Sequence, residues 1–213
     1  MTIRVVIIDD HPLLREGLRS TLQDHPDITI VGEAATGQEG MKLVRECPCE
    51  VVILDISLPD ISGIDLLKQL IAERPQTRVL VLSTYPEKQY AARSLRAGAL
   101  AYVTKDSAST ELVAAIRAVA EGRRYLSSEI ASLLVDAIAP DEKHFPHDEL
   151  SDREFEVFCL LGRGMTVQQI AEALTLSPPT VYTYRARIFF KTGMTSTPEI
   201  IRYVIEHNLL AMR

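Results

Sequence analysis

Three short, uninterrupted apolar runs recur in the first half of the chain: Val5-Val6-Ile7-Ile8, Val51-Val52-Ile53-Leu54 and Val79-Leu80-Val81-Leu82. Runs of this length without polar alternation predict strands buried on both faces, as in parallel sheets covered by helices. Ile28-Thr29-Ile30-Val31-Gly32 and Ala101-Tyr102-Val103 are weaker strand candidates. Between the strands the apolar period becomes helical: Leu13, Leu14, Leu18 and Leu22, then Leu66, Leu67, Leu70 and Ile71, then Leu112, Ala115, Ile116 and Val119. Five strands alternating with five helices predict a doubly wound α/β domain with a five-stranded parallel sheet over residues 1–121.

The pattern changes after that. Residues 122–147 predict a linker, in which Glu129 to Ile138 is a candidate helix. The stretch from Ala139 to His147 carries prolines and charges with no period. His144 and His147 are expected there as solvated linker residues. From 148 to 213 everything predicts short helices, an all-α four-helix domain. Ser151 is an N-cap with Glu154 at the capping-box position. Thr166 to Leu174 predicts a second helix, Ser177 caps a third reaching Lys191, and Thr195 or Ser196 opens a fourth reaching His207.

A length of 213 residues fits two such domains. The net charge of -6 argues against a protein that coats nucleic acid non-specifically. Residues 146–213 hold seven basic and eight acidic side chains. That balance does not exclude a local basic face. Asp9 and Asp10 follow only four apolar residues, too soon for a signal peptide, and no apolar stretch approaches the ~18 residues of a membrane span. Three cysteines with no framework suit a reducing compartment. Cys47-Pro48-Cys49 has no second ligand pair to complete a zinc site. The expectation is a cytoplasmic protein with no membrane partner.

In an open parallel sheet, ligands sit beyond the carboxyl ends of the strands. Asp9 and Asp10 end the first strand, Asp55 the third and Ser83 the fourth, and Lys105 follows the fifth. Three carboxylates on one rim repel each other and call for a cation, and an all-oxygen set suits Mg²⁺. Asp9-Asp10, Asp55-Ile56-Ser57-Leu58-Pro59 with Gly63, Ser83, and the run from Gly98 to Lys105 together resemble two-component receiver domains, over about the first 120 residues. The resemblance implies that Asp55 takes a phosphoryl group from the phosphohistidine of a sensor histidine kinase. Asp9, Asp10, Asp55 and the backbone carbonyl of Ser57 would hold Mg²⁺. Lys105 would neutralise phosphate oxygens, Ser83 would bond the new phosphate and Tyr102 would move behind it. Such a chain is a phosphoacceptor that catalyses its own phosphorylation, with its own dephosphorylation a candidate second step, and is no turnover enzyme.

Leu150-Ser151-Asp152-Arg153-Glu154, Gly164-Met165-Thr166, Ile170-Ala171, Ser177-Pro178-Pro179-Thr180-Val181 and Ile188-Phe189-Phe190-Lys191 resemble the LuxR-type helix-turn-helix of the NarL/FixJ class. The recognition helix looks closer to the GacA/UvrY-like subgroup. The implied partner is double-stranded DNA at promoter half-sites, bound by a homodimer of the phosphorylated chain, with phosphorylation either loosening interdomain contacts or driving the receivers to dimerise. Thr180, Tyr182, Thr183, Arg185, Ala186, Arg187 and Lys191 are the expected contacts, with Arg185, Arg187 and Lys191 as a basic stripe. Many members carry lysine and histidine where this chain has Tyr182 and Tyr184. None of Tyr182, Thr183 and Ala186 is a bidentate base reader. Two other readings compete with this one. A haloacid-dehalogenase-type phosphatase needs an Asp-Xaa-Asp after its first strand, which Asp9-Asp10-His11 lacks. A receiver that regulates a partner protein without DNA is the other.

Overall fold

The computed structural model describes residues 2–83, 88–126, 145–207 and 209. The chain divides into two compact units, Met1–Ala137 and Ile138–Arg213, and the division falls inside the expected linker. The candidate helix from Glu129 to Ile138 and His144 lie outside the described residues.

In the first unit, strands and helices alternate as β1 (Ile3–Ile8), α1 (Pro12–Gln23), β2 (Ile28–Ala34), α2 (Gly37–Glu46), β3 (Val51–Asp55), α3 (Gly63–Glu73), β4 (Arg78–Ser83), α4 (Lys88–Arg96), β5 (Ala101–Thr104) and α5 (Ala108–Ala120). The strands lie in the order β2-β1-β3-β4-β5 and every neighbouring pair is parallel. A sixth strand, β6 (Tyr125–Leu126), extends the sheet beside β5, so the sheet has six strands where five were expected. Gly122, at φ +79°, turns the chain back after α5, and the Tyr125 amide then donates to the Leu100 carbonyl at 3.0 Å. Two residues are too few for a periodicity signal, which is why the linker was expected to begin earlier.

Side chains of a strand alternate between faces, and here both faces are covered. Val5, Ile7, Val51, Ile53, Leu80, Leu82, Ala101 and Val103 form one core with Leu18 and Leu22 of α1 and Leu112, Ala115, Ile116 and Val119 of α5. On the other face Gly40 lets α2 lie directly on Ile8, since a Cβ there would overlap the isoleucine side chain. Burying each such Val, Leu or Ile stabilises by about 1.5–3 kcal/mol, so continuous apolar strands are what this architecture requires.

In the second unit a 3₁₀ turn (Pro146–Glu149) precedes α6 (Asp152–Gly162), α7 (Val167–Ala173), α8 (Pro178–Thr192) and α9 (Thr197–Glu206). The expected caps are formed. Ser151 and Glu154 make a reciprocal capping box, as do Thr166 and Gln169, while Ser177 and Ser196 accept from Thr180 and Glu199 amides. Val181 and Ile188 of α8 are buried with Ile170, Ala171 and Leu174 in the core of this unit, while Tyr184 is half-buried.

His147 departs from its expectation. It is buried rather than solvated, its Nδ1 is 2.8 Å from the Tyr203 hydroxyl, and its ring stacks on Phe145. Burial, reinforced by the Asp148 carboxylate, pushes the Tyr203 phenol up to about 12, so it keeps its proton across the physiological range. The physical reason is the pull of aromatic burial: Phe145, His147, Phe155, Phe158, Tyr203 and His207 form one ring cluster.

Candidate functional site

The register of the parallel ladder builds the first site. Ile8 pairs with Leu54, Asp55 with Leu82 and Ser83 with Thr104, so these strands end on one rim. The strand order reverses between β1 and β3, so the crevice opens there. Asp9 and Asp55 are each 1% exposed within it. Lys105 Nζ reaches Asp55 Oδ2 at 2.6 Å and Asp9 Oδ2 at 2.8 Å, and its side chain is only 8% exposed. The Lys105 amide donates to the Ser83 carbonyl at 2.7 Å, which fixes the start of the lysine on the β4–β5 ladder. The Ser57 amide donates to Asp55 Oδ1 at 3.0 Å. Asp9, Asp10, Asp55, Ser57, Ser83 and Lys105 are thus brought to one end of the sheet, while the Tyr102 side chain is buried in β5.

Burial pushes the Asp55 carboxyl above its ordinary range; Asp9 adds to the rise and Lys105 opposes it. Burial works to lower the Lys105 ammonium, but Asp55 and Asp9 outweigh it and the net shift is upward. A single ammonium therefore serves two buried carboxylates, with Asp10 close by. Two buried oxygens, Asp9 Oδ2 and Asp10 Oδ1, are met by Lys105 Nζ and His11 Nδ1, each at 2.8 Å. One ligand atom from each of Asp9, Asp10, His11 and Asp55 falls within 4.8 Å of the others. Three carboxylates crowded at that spacing fit a hard divalent cation.

His11 is the member of this group that sequence reasoning missed. Its Nδ1 lies 2.8 Å from Asp10 Oδ1, 3.2 Å from Asp9 Oδ1 and 3.8 Å from Asp55 Oδ2. The signal was available only in the turn: the His11 amide donates to Asp9 Oδ1, and Pro12 starts α1 immediately after. That geometry folds the imidazole back over the carboxylates.

The loop after Asp55 is pinned twice. Asp60 accepts from the Gly37 and Gln38 amides at 2.8 and 2.9 Å, tying the loop to the start of α2. Gly63 donates its amide to the Ile56 carbonyl at 3.0 Å, and a Cβ on it would overlap Ile56 Cα and the Asp55 carbonyl oxygen. Backbone cannot yield as a side-chain tip can. Gly63→Ala is expected to cost roughly 1–3 kcal/mol, as overpacking does, read as a lowered melting temperature. An unchanged melt would mean that this approach is relaxed in solution.

The second candidate site is the outer face of α8. Tyr182, Thr183, Ala186, Arg187 and Phe190 are exposed there, and Arg185 is half-exposed beside them. Their spacing of three and four residues places them on one stripe opposite Val181 and Ile188. Thr180 is half-buried at the helix start, its hydroxyl 2.8 Å from Ser177 Oγ. Lys191 does not extend the basic stripe as expected. Its Nζ sits 2.6 Å from Glu154 Oε2, a buried carboxylate of α6. An unpaired Glu154 would be costly, and Lys191 is the cation within reach, so its charge serves the fold. Phe190, 89% exposed, was not on the expected contact face at all.

Known proteins match both halves. Residues 5–117 match the response regulator receiver domain family and residues 148–204 the bacterial regulatory proteins of the luxR family. The chain is 36% identical to the response regulator GacA of Pseudomonas aeruginosa over 98% of each chain. It is 35% identical to the response regulator UvrY of Escherichia coli over 97% of this chain and 95% of that one. A solved structure of two RcsB dimers bound to two parallel DNAs is similar over 96% of this chain and 98% of that one, at 26% identity and a TM-score of 0.61. A rim of carboxylates served by one lysine on a doubly wound sheet, followed by a helix-turn-helix unit, agrees with both matches. The chain therefore belongs to the response regulators that join a receiver domain to a luxR-family DNA-binding domain, the transcriptional regulators of two-component systems.

Proposed function

We propose that Asp55 is the phosphoacceptor. The observation that carries this is the Asp55–Lys105 pair: a buried carboxylate whose Oδ2 is 2.6 Å from an ammonium held by the next strand but one. Asp55 Oδ2 attacks the phosphorus of a sensor kinase's phosphohistidine. A P–O bond forms, the P–N bond breaks, and the imidazole leaves with the bonding pair and takes up a proton. Lys105 stays beside the phosphoryl oxygens as charge accumulates, and the Ser57 amide holds Asp55 in place for attack. The chain in this sense catalyses its own phosphorylation. Mg²⁺, held by Asp9, Asp10, Asp55 and the Ser57 carbonyl, would neutralise phosphoryl charge. Phosphorylation adds about -1.5 to -2 charge, which Ser83 and Tyr102, on the neighbouring strands, would answer by moving toward it.

The helical unit supplies the output. α8 enters the major groove, Arg187 meets phosphate with Arg185 stacked beside it, and the phosphorylated chain binds adjacent half-sites as a homodimer. The likeness to RcsB dimers on DNA supports this reading. Such a protein works in the cytoplasm, where kinase output and DNA are both reached. Among the described residues no helix is long and apolar enough to cross a membrane.

The metal part is tested by thermal unfolding. Saturation at one hundred times Kd stabilises the folded state by about 2.7 kcal/mol, a rise of several degrees that EDTA reverses. Asp10→Asn is expected to remove the Mg²⁺-dependent rise and, by relieving carboxylate repulsion, to melt higher than the unsubstituted protein in EDTA. A full rise retained in Asp10→Asn would remove Asp10 from the ligand set.

A further inference from the structure

On the outward stripe of α8 only Arg187 and the Tyr182 hydroxyl could read bases by hydrogen bonds, and the rest is apolar. Its charged members are drawn elsewhere or stand alone. The Arg185 guanidinium lies 5.0 Å from the Tyr182 ring centre and 5.9 Å from that of Phe189, stacked along the helix flank. Lys191 is paired with Glu154. The Thr183 hydroxyl donates to the Pro179 carbonyl at 3.1 Å, which spends its proton within the helix. What remains outward is the Tyr182 ring, 49% exposed, the Thr183 methyl, the Ala186 methyl and the Phe190 ring, with Arg187 the one exposed cation among them. In the major groove the only apolar group a base offers is the thymine 5-methyl.

We infer that this helix selects its DNA by apolar contact with thymine methyl groups, through Tyr182, Thr183 and Ala186, with Arg187 supplying phosphate attraction. The inference rests on the DNA-binding reading above and deepens it, since it names the chemistry that the site recognises. Ala186 is small enough to let the helix approach the groove floor, and Tyr182 and Thr183 sit one turn before it on the same face. The three lie within five consecutive positions, about 6 Å of helix axis at 1.5 Å per residue. They therefore cover roughly two base steps at 3.4 Å each, and the selected thymines should be adjacent or nearly so in each half-site. Phe190 continues the stripe by a further turn and lies beyond that span.

The test uses the full-length chain. Duplexes selected by it from a randomised 30-base-pair pool are resynthesised with deoxyuridine replacing single thymidines, which removes only the 5-methyl. Binding is expected to fall roughly fourfold for each contacted methyl and about fifteenfold for two, at a small cluster of positions per half-site. Tyr182→Phe is expected to bind as the unsubstituted chain does, whereas Tyr182→Ala loses the penalty for uracil at one position. Salt-dependent binding that is indifferent to uracil everywhere would overturn the inference while leaving the DNA-binding reading intact. So would loss of selectivity in Tyr182→Phe, which would assign the reading to the phenol hydroxyl. Absence of salt-dependent binding to every duplex would overturn both.

Discussion

Asp55→Asn abolishes incorporation of phosphate from a phosphorylated kinase or from acetyl phosphate, measured as acid-stable, hydroxylamine-labile label on the intact chain. The amide keeps the shape of the residue and its place at the end of β3 but has no anionic oxygen to attack phosphorus. Among the described residues Asp9 is the carboxylate most like Asp55, equally buried and also beside Lys105, so Asp9→Asn is the control, expected to keep the acceptor in place. What separates the two is His11, whose Nδ1 also lies 3.2 Å from Asp9 Oδ1 and covers that side of the group. Lys105→Ala is the informative companion. It leaves the nucleophile in place and removes the ammonium 2.6 Å away, so labelling slows and Asp55 loses the group that opposes the rise of its pKa. Stoichiometric label on Asp55→Asn would transfer the phosphoacceptor role to another residue.

The rim of this crevice is legible in the sequence because its members terminate apolar runs. A carboxylate that ends a buried strand has few other places to go than the carboxyl edge of the sheet. His11 was unreadable for the opposite reason. Its position in sequence is that of a helix N-cap, and only the turn that bonds its amide to Asp9 brings the ring over the pocket. The helix boundaries of the second unit were readable from Ser151, Thr166, Ser177 and Ser196, since capping is a local transaction between residues three apart. Lys191 and His147 could not be assigned from local pattern. Their partners, Glu154 and Tyr203, are 37 and 56 residues away, and only tertiary packing decides that one cation is spent on the fold and one ring is buried. β6 is a case of scale: two residues cannot display a period.

Arg187→Ala weakens binding of the full chain to its selected DNA by roughly tenfold at moderate salt and lowers the log–log salt slope by about 0.9 for each bound copy. Lys191→Ala leaves that slope unchanged. The contrast follows from geometry, because Arg187 projects from the exposed stripe and Lys191 is held by Glu154. The cost of losing Lys191 appears in stability instead, on the order of 1 kcal/mol because the lysine retains solvent access. Its pH dependence has a definite sign. Burial tends to raise the Glu154 carboxyl, but Lys191 and the Ser151 cap hold it below the usual carboxylate range. A carboxyl depressed in the folded state contributes stability above its unfolded pKa, and that contribution is lost as pH falls through the folded value. Lys191→Ala brings the folded value up, so acid unfolding of the helical unit begins at a higher pH. A reduced salt slope in Lys191→Ala would return that residue to the DNA contact set.

The ring cluster around His147 has a consequence for how the helical unit can be used. Phe145 and His147 stand at its first described residues, and Tyr203 and His207 at the end of its last helix, with the Phe145 and His207 rings 5.1 Å apart. Residues 145 and 207, at the two ends of the described helical segment, thus meet in one small clasp. A module whose two ends meet imposes no span on whatever it is joined to. It can be cut from one polypeptide and spliced into another, or permuted by closing its own ends, without the graft having to bridge the fold.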